Sequence, residues 1–187
     1  MKCSVFIATS ADGFIADREG GVDWLHTAGN GHVIEGDNAD MGMKKYMSSV
    51  DCMIMGRKCM ETIAGFNLTP EQWPYGDIKI YALSNTVTVP PNNLKDKIEM
   101  YAGDLNDLVS TLENQGYKHA YIDGGTTIQA FINLGLINEL TITRAPILLG
   151  EGIPLFGKTT KPLKLEQAEA IAFPNDFIQV KYKVNYE

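Results

Sequence analysis

Apolar and polar positions along this 187-residue chain change period in a regular order. Val5-Phe6-Ile7-Ala8, Cys52-Met53-Ile54-Met55, Ile78 to Leu83, Ile98 to Tyr101 and Ala120-Tyr121-Ile122 are short apolar runs, the pattern of buried strands. Between them the spacing becomes helical. Met43, Tyr46, Met47 and Val50 fall at i, i+3, i+4 and i+7, and Leu105, Leu108, Val109 and Leu112 repeat that spacing behind Asp104, a good N-cap residue. Ile128, Phe131 and Ile132 form a third stripe after Thr126 and Thr127. Strands alternating with helices predict crossover units and a largely parallel sheet covered on both faces. The last third differs. Leu140 to Thr143 and Leu163 to Ile171 read as strands, and Ile178, Val180, Tyr182, Val184 and Tyr186 alternate strictly with polar residues. That is the period of an antiparallel strand with one wet face. The pattern predicts one three-layer α/β domain over 1–187, with a mostly parallel mixed sheet of about eight strands and antiparallel strands at its C-terminal end. The stretches 16–34 and 64–77 are left as longer loops, which commonly carry function.

Composition narrows the partners. The chain has 16 Lys+Arg against 23 Asp+Glu, a net charge of −7. Nucleic acid and anionic membrane both need a broad positive field, so neither is an expected partner. No apolar run approaches the roughly 20 residues that span a bilayer. The first apolar run stops at Thr9-Ser10-Ala11-Asp12, too early for a signal peptide, and it alternates like a strand. Cys3, Cys52 and Cys59 form an odd set without Cys-x-x-Cys spacing, which reads as free thiols in a reducing cytosol. His26, His32 and His119 have no metal-ligand spacing and read as surface or structural residues.

An anionic ligand of such a protein needs a local cluster of positive groups. Gly152-Ile153-Pro154-Leu155-Phe156-Gly157-Lys158-Thr159 fits the phosphate-loop spacing. However, Pro154 removes an N–H and Lys161-Pro162 follows too soon for the helix that such a loop must open. Met55-Gly56-Arg57-Lys58 is a better candidate. A buried strand runs into glycine and then into two cations at a helix start, which is unfavourable unless an anion sits there. Two ordinary surface cations remain the alternative. Ile122-Asp123-Gly124-Gly125-Thr126-Thr127 is again strand, glycine pair and helix start, and Leu83-Ser84-Asn85-Thr86 adds small polar donors at a third strand end. In open α/β sheets, ligands bind beyond the carboxyl ends of the strands. Asp40 lies three residues before Met43 and seven before Met47, continuing that apolar stripe. A carboxyl on a buried face has a raised pKa, which suits proton donation. The alternative is a first-turn acid facing solvent, with Glu35 and Asp37 beside it as dipole partners.

Five segments, taken in order, resemble the dihydrofolate reductase-like superfamily. They are Ile7 to Ala16, Met53 to Lys58, Leu83-Ser84, Asp123-Gly124-Gly125 and Gly150-Glu151-Gly152-Ile153-Pro154-Leu155-Phe156. Within it the chain is most similar to the riboflavin biosynthesis reductases, the RibD C-terminal domain family, and nearly the whole chain takes part. The resemblance implies NADPH as hydride donor and a small pyrimidine, pterin or similar substrate. It implies that Arg57 and Lys58 hold the 2′-phosphate, with Gly56, Leu83, Ser84 and Asn85 beside them. Asp123, Gly124, Gly125, Thr126 and Thr127 would run past the pyrophosphate and ribose, and Ala8 and Ile15 would touch the nicotinamide. Trp24 would belong to a mobile loop closing on substrate, and Asp40 would assist protonation. A homodimer is also implied. Two departures stand out: Cys59 replaces the usual Thr, and 17–38 does not follow the folate enzymes. A non-catalytic nucleotide-binding protein and a dihydrofolate reductase proper are the other readings.

Overall fold

The computed structural model describes residues 1–30 and 40–187. His32, Glu35 and Asp37 lie outside the described residues. Strands β1 (Lys2–Thr9), β3 (Cys52–Gly56), β4 (Lys79–Leu83), β5 (Ile98–Tyr101), β6 (His119–Asp123) and β7 (Glu139–Arg144) join β9 (Lys164–Ala172) and β10 (Ile178–Asn185) in one eight-stranded sheet. Its order is β5-β4-β3-β6-β1-β7-β10-β9. The first six positions run parallel, and β10 is antiparallel to both β7 and β9. This is the mixed sheet that the hydrophobic periods predict.

Two helical layers cover the parallel strands. On one face α4 (Leu105–Asn114) and α5 (Gly125–Asn133) bring Leu108, Leu112, Ile128 and Phe131 onto Val5, Ile54, Ile122 and Leu140. On the other, α2 (Met43–Met47) and α3 (Arg57–Gly65) bring Tyr46, Met60 and Ile63 onto Met53, Met55, Ile80 and Tyr121. Fully burying side chains of this size contributes about 1.5–3 kcal/mol each. Asp104 caps α4, its carboxylate accepting from the backbone N–H groups of Asn106 and Asp107 at 2.8 and 3.3 Å. A third, smaller cluster gathers Trp24, Ala145, Phe173 and Phe177. Among the described residues no helix is long and apolar enough to cross a membrane. Cys3 and Cys52 are buried, Cys59 is half-buried, and all three are free thiols.

The differences from the predicted elements have local causes. Helix α2 stops at Met47, before Val50. The hydroxyls of Ser48 and Ser49 donate back to the carbonyls of Lys45 and Tyr46, a pairing that competes with the helix. The 16–34 stretch contains the short α1 (Trp24–Thr27), and two-residue β8 (Ile153–Pro154) pairs with β2 (Phe14–Ala16). Gly152 permits that pairing, because a Cβ there would lie 2.3 Å from the Ala16 carbonyl oxygen. The apparent phosphate loop therefore belongs to the antiparallel β2–β8 pairing. No helix follows it, and Leu155 is buried in the core. His119 is structural. Its ring meets the Ser4 hydroxyl at 2.7 Å and the Ser49 carbonyl at 2.8 Å, and Ser4 in turn meets the Tyr46 hydroxyl at 2.8 Å.

Candidate active site

The parallel strands end along one edge, so their last residues meet there. Gly56 pairs with Leu83 across β3–β4, and Met55 pairs with Asp123 across β3–β6. Helices α3 and α5 start at this edge. Neither has a side-chain cap, and their first N–H groups lack intrahelical partners. Arg57, Leu83, Ser84, Asn85, Thr86 and Tyr101 line a cavity of about 380 Å³ beside the start of α3. The Ser84 hydroxyl oxygen accepts from the N–H groups of Thr86 and Val87 at 3.1 and 2.9 Å, and the hydroxyl meets Thr86 Oγ1 at 3.4 Å. Lys58 is exposed and does not line this cavity. The expected pair of cations is thus one cation, because successive helical residues point about 100° apart. A larger depression of about 860 Å³ lies at the opposite edge, where Lys79 and Ile98 open β4 and β5. It carries both charge signs on Lys79, Lys97, Asp77 and Glu99, and it is remote from the strand ends at which open sheets bind ligands.

The second glycine turn has an internal explanation as well. Gly124 has φ +89°, and a Cβ there would sit 2.6 Å from Cys59 Sγ. A Cβ on Gly125 would sit 2.8 Å from Ile15 Cδ1 and 3.4 Å from the Pro154 carbonyl oxygen. Ile15 therefore packs on the first residue of α5, and the left-handed φ at Gly124 favours glycine there whatever else passes. Thr127 is buried, with its Oγ1 3.0 Å from where a Gly56 Cβ would be, so the two helix starts touch. Thr126 is exposed, and Ala8 is half-buried on β1 opposite Thr143.

Asp123 is more than a turn residue. It ends β6 on the same face as Tyr121, whose hydroxyl donates to the Phe6 carbonyl at 3.0 Å and approaches Asp123 Oδ1 at 3.5 Å. Burial pushes the Asp123 carboxyl above the ordinary range, against hydrogen bonds from the Gly124 N–H, the Tyr121 hydroxyl and the Cys59 thiol. Cys59 is pushed up to about 12, first by burial and then by Asp123. Tyr75 is raised by burial and by the same carboxyl. The group is a half-buried acid at a strand end, with the Gly124 N–H, the Tyr121 hydroxyl and the Cys59 thiol beside it. In the sequence its signal is a carboxylate directly ending an apolar strand, which the neighbouring glycines overshadow.

One expectation is corrected. Asp40 is not on a buried helical face. It precedes α2 in a turn, and its carboxylate accepts from the backbone N–H groups of Lys44 at 2.8 Å and Gly42 at 3.1 Å. Those bonds lower its pKa where a buried acid would have it raised. The Trp24 ring is buried in the third cluster, and its indole N–H has no partner among the described residues.

This architecture recurs in known proteins. A solved structure from Shewanella sp. PV-4, whose name assigns it provisionally to riboflavin biosynthesis, is 39% identical, with 99% of each chain covered and a TM-score of 0.88. The uncharacterised protein YwjB of Bacillus subtilis (strain 168) is 31% identical over 166 residues, 88% of this chain and 87% of YwjB. Dihydrofolate reductase from Enterococcus faecalis, solved with NADP(H), is 13% identical with a TM-score of 0.62, covering 98% of this chain and 96% of that one. The fold is thus dihydrofolate reductase-like. The model of the RibD C-terminal domain matches residues 2–179, and this chain belongs to the RibD C-terminal domain family.

Proposed function

We propose that this protein is an NADPH-dependent reductase that adds a hydride and a proton across a C=N or C=O bond of a pyrimidine, pterin or similar small molecule. The type that fits best is the riboflavin-pathway reduction of 5-amino-6-(5-phosphoribosylamino)uracil. One observation carries the reading. A cavity walled by Arg57 and a half-buried carboxyl, Asp123, share the edge formed by the adjacent strands β3 and β6.

The residues fit a phosphorylated dinucleotide. The Arg57 guanidinium and the Ser84 hydroxyl suit a ribose-borne phosphate, with Asn85 beside them. The N–H groups opening α5 at Gly125, Thr126 and Thr127 suit a pyrophosphate. Ile15 provides an apolar wall against Gly125, and Ala8 lies near the end of β1. When bound, the dihydronicotinamide supplies the hydride. The chain supplies the proton and its placement. Asp123, whose burial beside Tyr121 and Cys59 favours the protonated form, donates a proton from its carboxyl to the substrate nitrogen or oxygen as hydride reaches the carbon. Solvent then reprotonates it. Asp40 already accepts two backbone N–H groups and favours its charged form, so it suits a capping role.

Calorimetric titration tests the cofactor. NADPH is expected to bind about 10- to 100-fold more tightly than NADH, the worth of one charge-assisted contact. Equal affinities would overturn the assignment. A panel of pyrimidines and pterins followed by loss of nicotinamide absorbance tests the reaction. Tight NADPH binding with no acceptor reduced would leave a nucleotide-binding protein instead.

A further inference from the structure

Arg57 is not free in its cavity. Its Nη1 donates to Glu61 Oε1 at 2.5 Å, one helical turn on, with the two side chains 38% and 45% exposed. Arg57 is also the only cation among the residues lining the cavity. A guanidinium that grips a phosphate bidentately presents two N–H groups of its fork. Here one of them already faces a carboxylate. Arg57 moreover sits at the first residue of α3, at the positive end of the helix dipole, and the order cation-then-acid along a helix is the weaker orientation of such a pair. Glu61 therefore relieves Arg57 when no anion is present. When a phosphate dianion enters, the same carboxylate competes for the guanidinium and repels the ligand.

We infer that Glu61 is a specificity-determining residue, which sets how strongly the site prefers a ribose bearing a 2′-phosphate over one without it. This rests on the NADPH reading above and deepens it. An exposed ion pair one turn apart contributes little to holding a side chain in place. Removing the charge of Glu61 while keeping an amide acceptor therefore frees the fork without unseating Arg57. The repulsion between a phosphate dianion and a carboxylate a few ångströms away in a solvated cavity corresponds to about three- to tenfold in affinity.

The test uses 2′,5′-ADP and 5′-AMP as probes, neither carrying a nicotinamide, with binding read by calorimetry on the full chain. Wild type should prefer 2′,5′-ADP. Glu61→Gln should widen that preference by about three- to tenfold through 2′,5′-ADP alone, leaving 5′-AMP within about twofold. Arg57→Gln should abolish the preference, and adding Glu61→Gln to it should recover only the part due to direct repulsion, less than the gain Glu61→Gln gives beside Arg57, since the competition for the guanidinium is gone. A wild-type preference that Glu61→Gln leaves unchanged or narrows would overturn the role of Glu61 alone. A wild type with no preference would overturn the cofactor reading itself.

Discussion

The Asp123 carboxyl links stability and chemistry in opposite directions. Burial raises its pKa, so ionisation at neutral pH works against the fold. An acid whose folded pKa is raised gives its full stability below the unfolded value of 3.8 and loses it as pH rises through the folded value. Asp123→Asn removes that loss. Its melting temperature is expected to exceed wild type at pH 7, the gap closing as pH falls toward 3.8. Its hydride-transfer rate is expected to drop about 10²- to 10⁴-fold, the usual contribution of a positioned general acid. NADPH affinity should stay within a small factor. Asp40 has the opposite sign. Its pKa is lowered by the α2 backbone, so its contribution is present above the unfolded pKa and lost on acidification. Asp40→Asn should lower the melting temperature at neutral pH with hydride transfer intact. Thermal melts and stopped-flow rates on the two variants separate the roles. Slow transfer in the Asp40 variant and normal transfer in the Asp123 variant would reverse them.

At the scale of elements, the site depends on how closely α3 and α5 approach. Gly124 combines a left-handed φ of +89° with a Cβ position 2.6 Å from Cys59 Sγ on α3. Gly124→Ala is therefore expected to destabilise the protein by about 1–3 kcal/mol, measured by chemical denaturation. Adding Cys59→Ala removes the steric part and leaves the backbone part, so the double variant should recover some of the loss and not all of it. Full recovery would show that the φ angle carries no strain. The same contact gives the Cys59 departure a physical setting. The side chain that stands in place of the usual Thr lies beneath Gly124, against Asp123, with its thiol pushed up to about 12.

At the scale of the whole molecule, the net charge of −7 and the single cavity-lining cation make anion recognition local. A polyanion meets the overall negative field, whereas a mononucleotide meets chiefly Arg57 and the helix N-termini. Duplex DNA at low salt is accordingly expected neither to shift in an electrophoretic binding assay nor to displace 2′,5′-ADP. Displacement by DNA would point to a basic track absent from this charge distribution. The antiparallel end of the sheet has a different character. Every residue of β9 is exposed, and Leu165, Ile171 and Ile178 remain large exposed apolar side chains there. The helical layers cover the parallel strands, where the site is built, and stop short of this edge.

The order of elements follows from the sequence by itself. Period-2 and period-3.6 apolar patterns reflect which side of a strand or helix meets water, and that is a local property. Val5 to Ala8, Cys52 to Met55, the Asp104 cap and the alternation after Ile178 therefore all correspond to observed elements. The strand-end glycines and Arg57 also fall at one edge, because a parallel sheet places successive strand ends together. What the tertiary structure decided is what each candidate faces. Lys58 follows Arg57 in sequence yet lies outside its cavity. Asp40 keeps helical spacing with Met43 and Met47 yet caps the helix, since the backbone turns at Met41 and Gly42, both with positive φ. Asp123 became a partly desolvated acid because Tyr121 and Cys59 lie beside it. Cys59 comes from α3, far from Asp123 in the chain. Desolvation depends on every atom nearby, and one-dimensional spacing carries no record of which distant atoms those are.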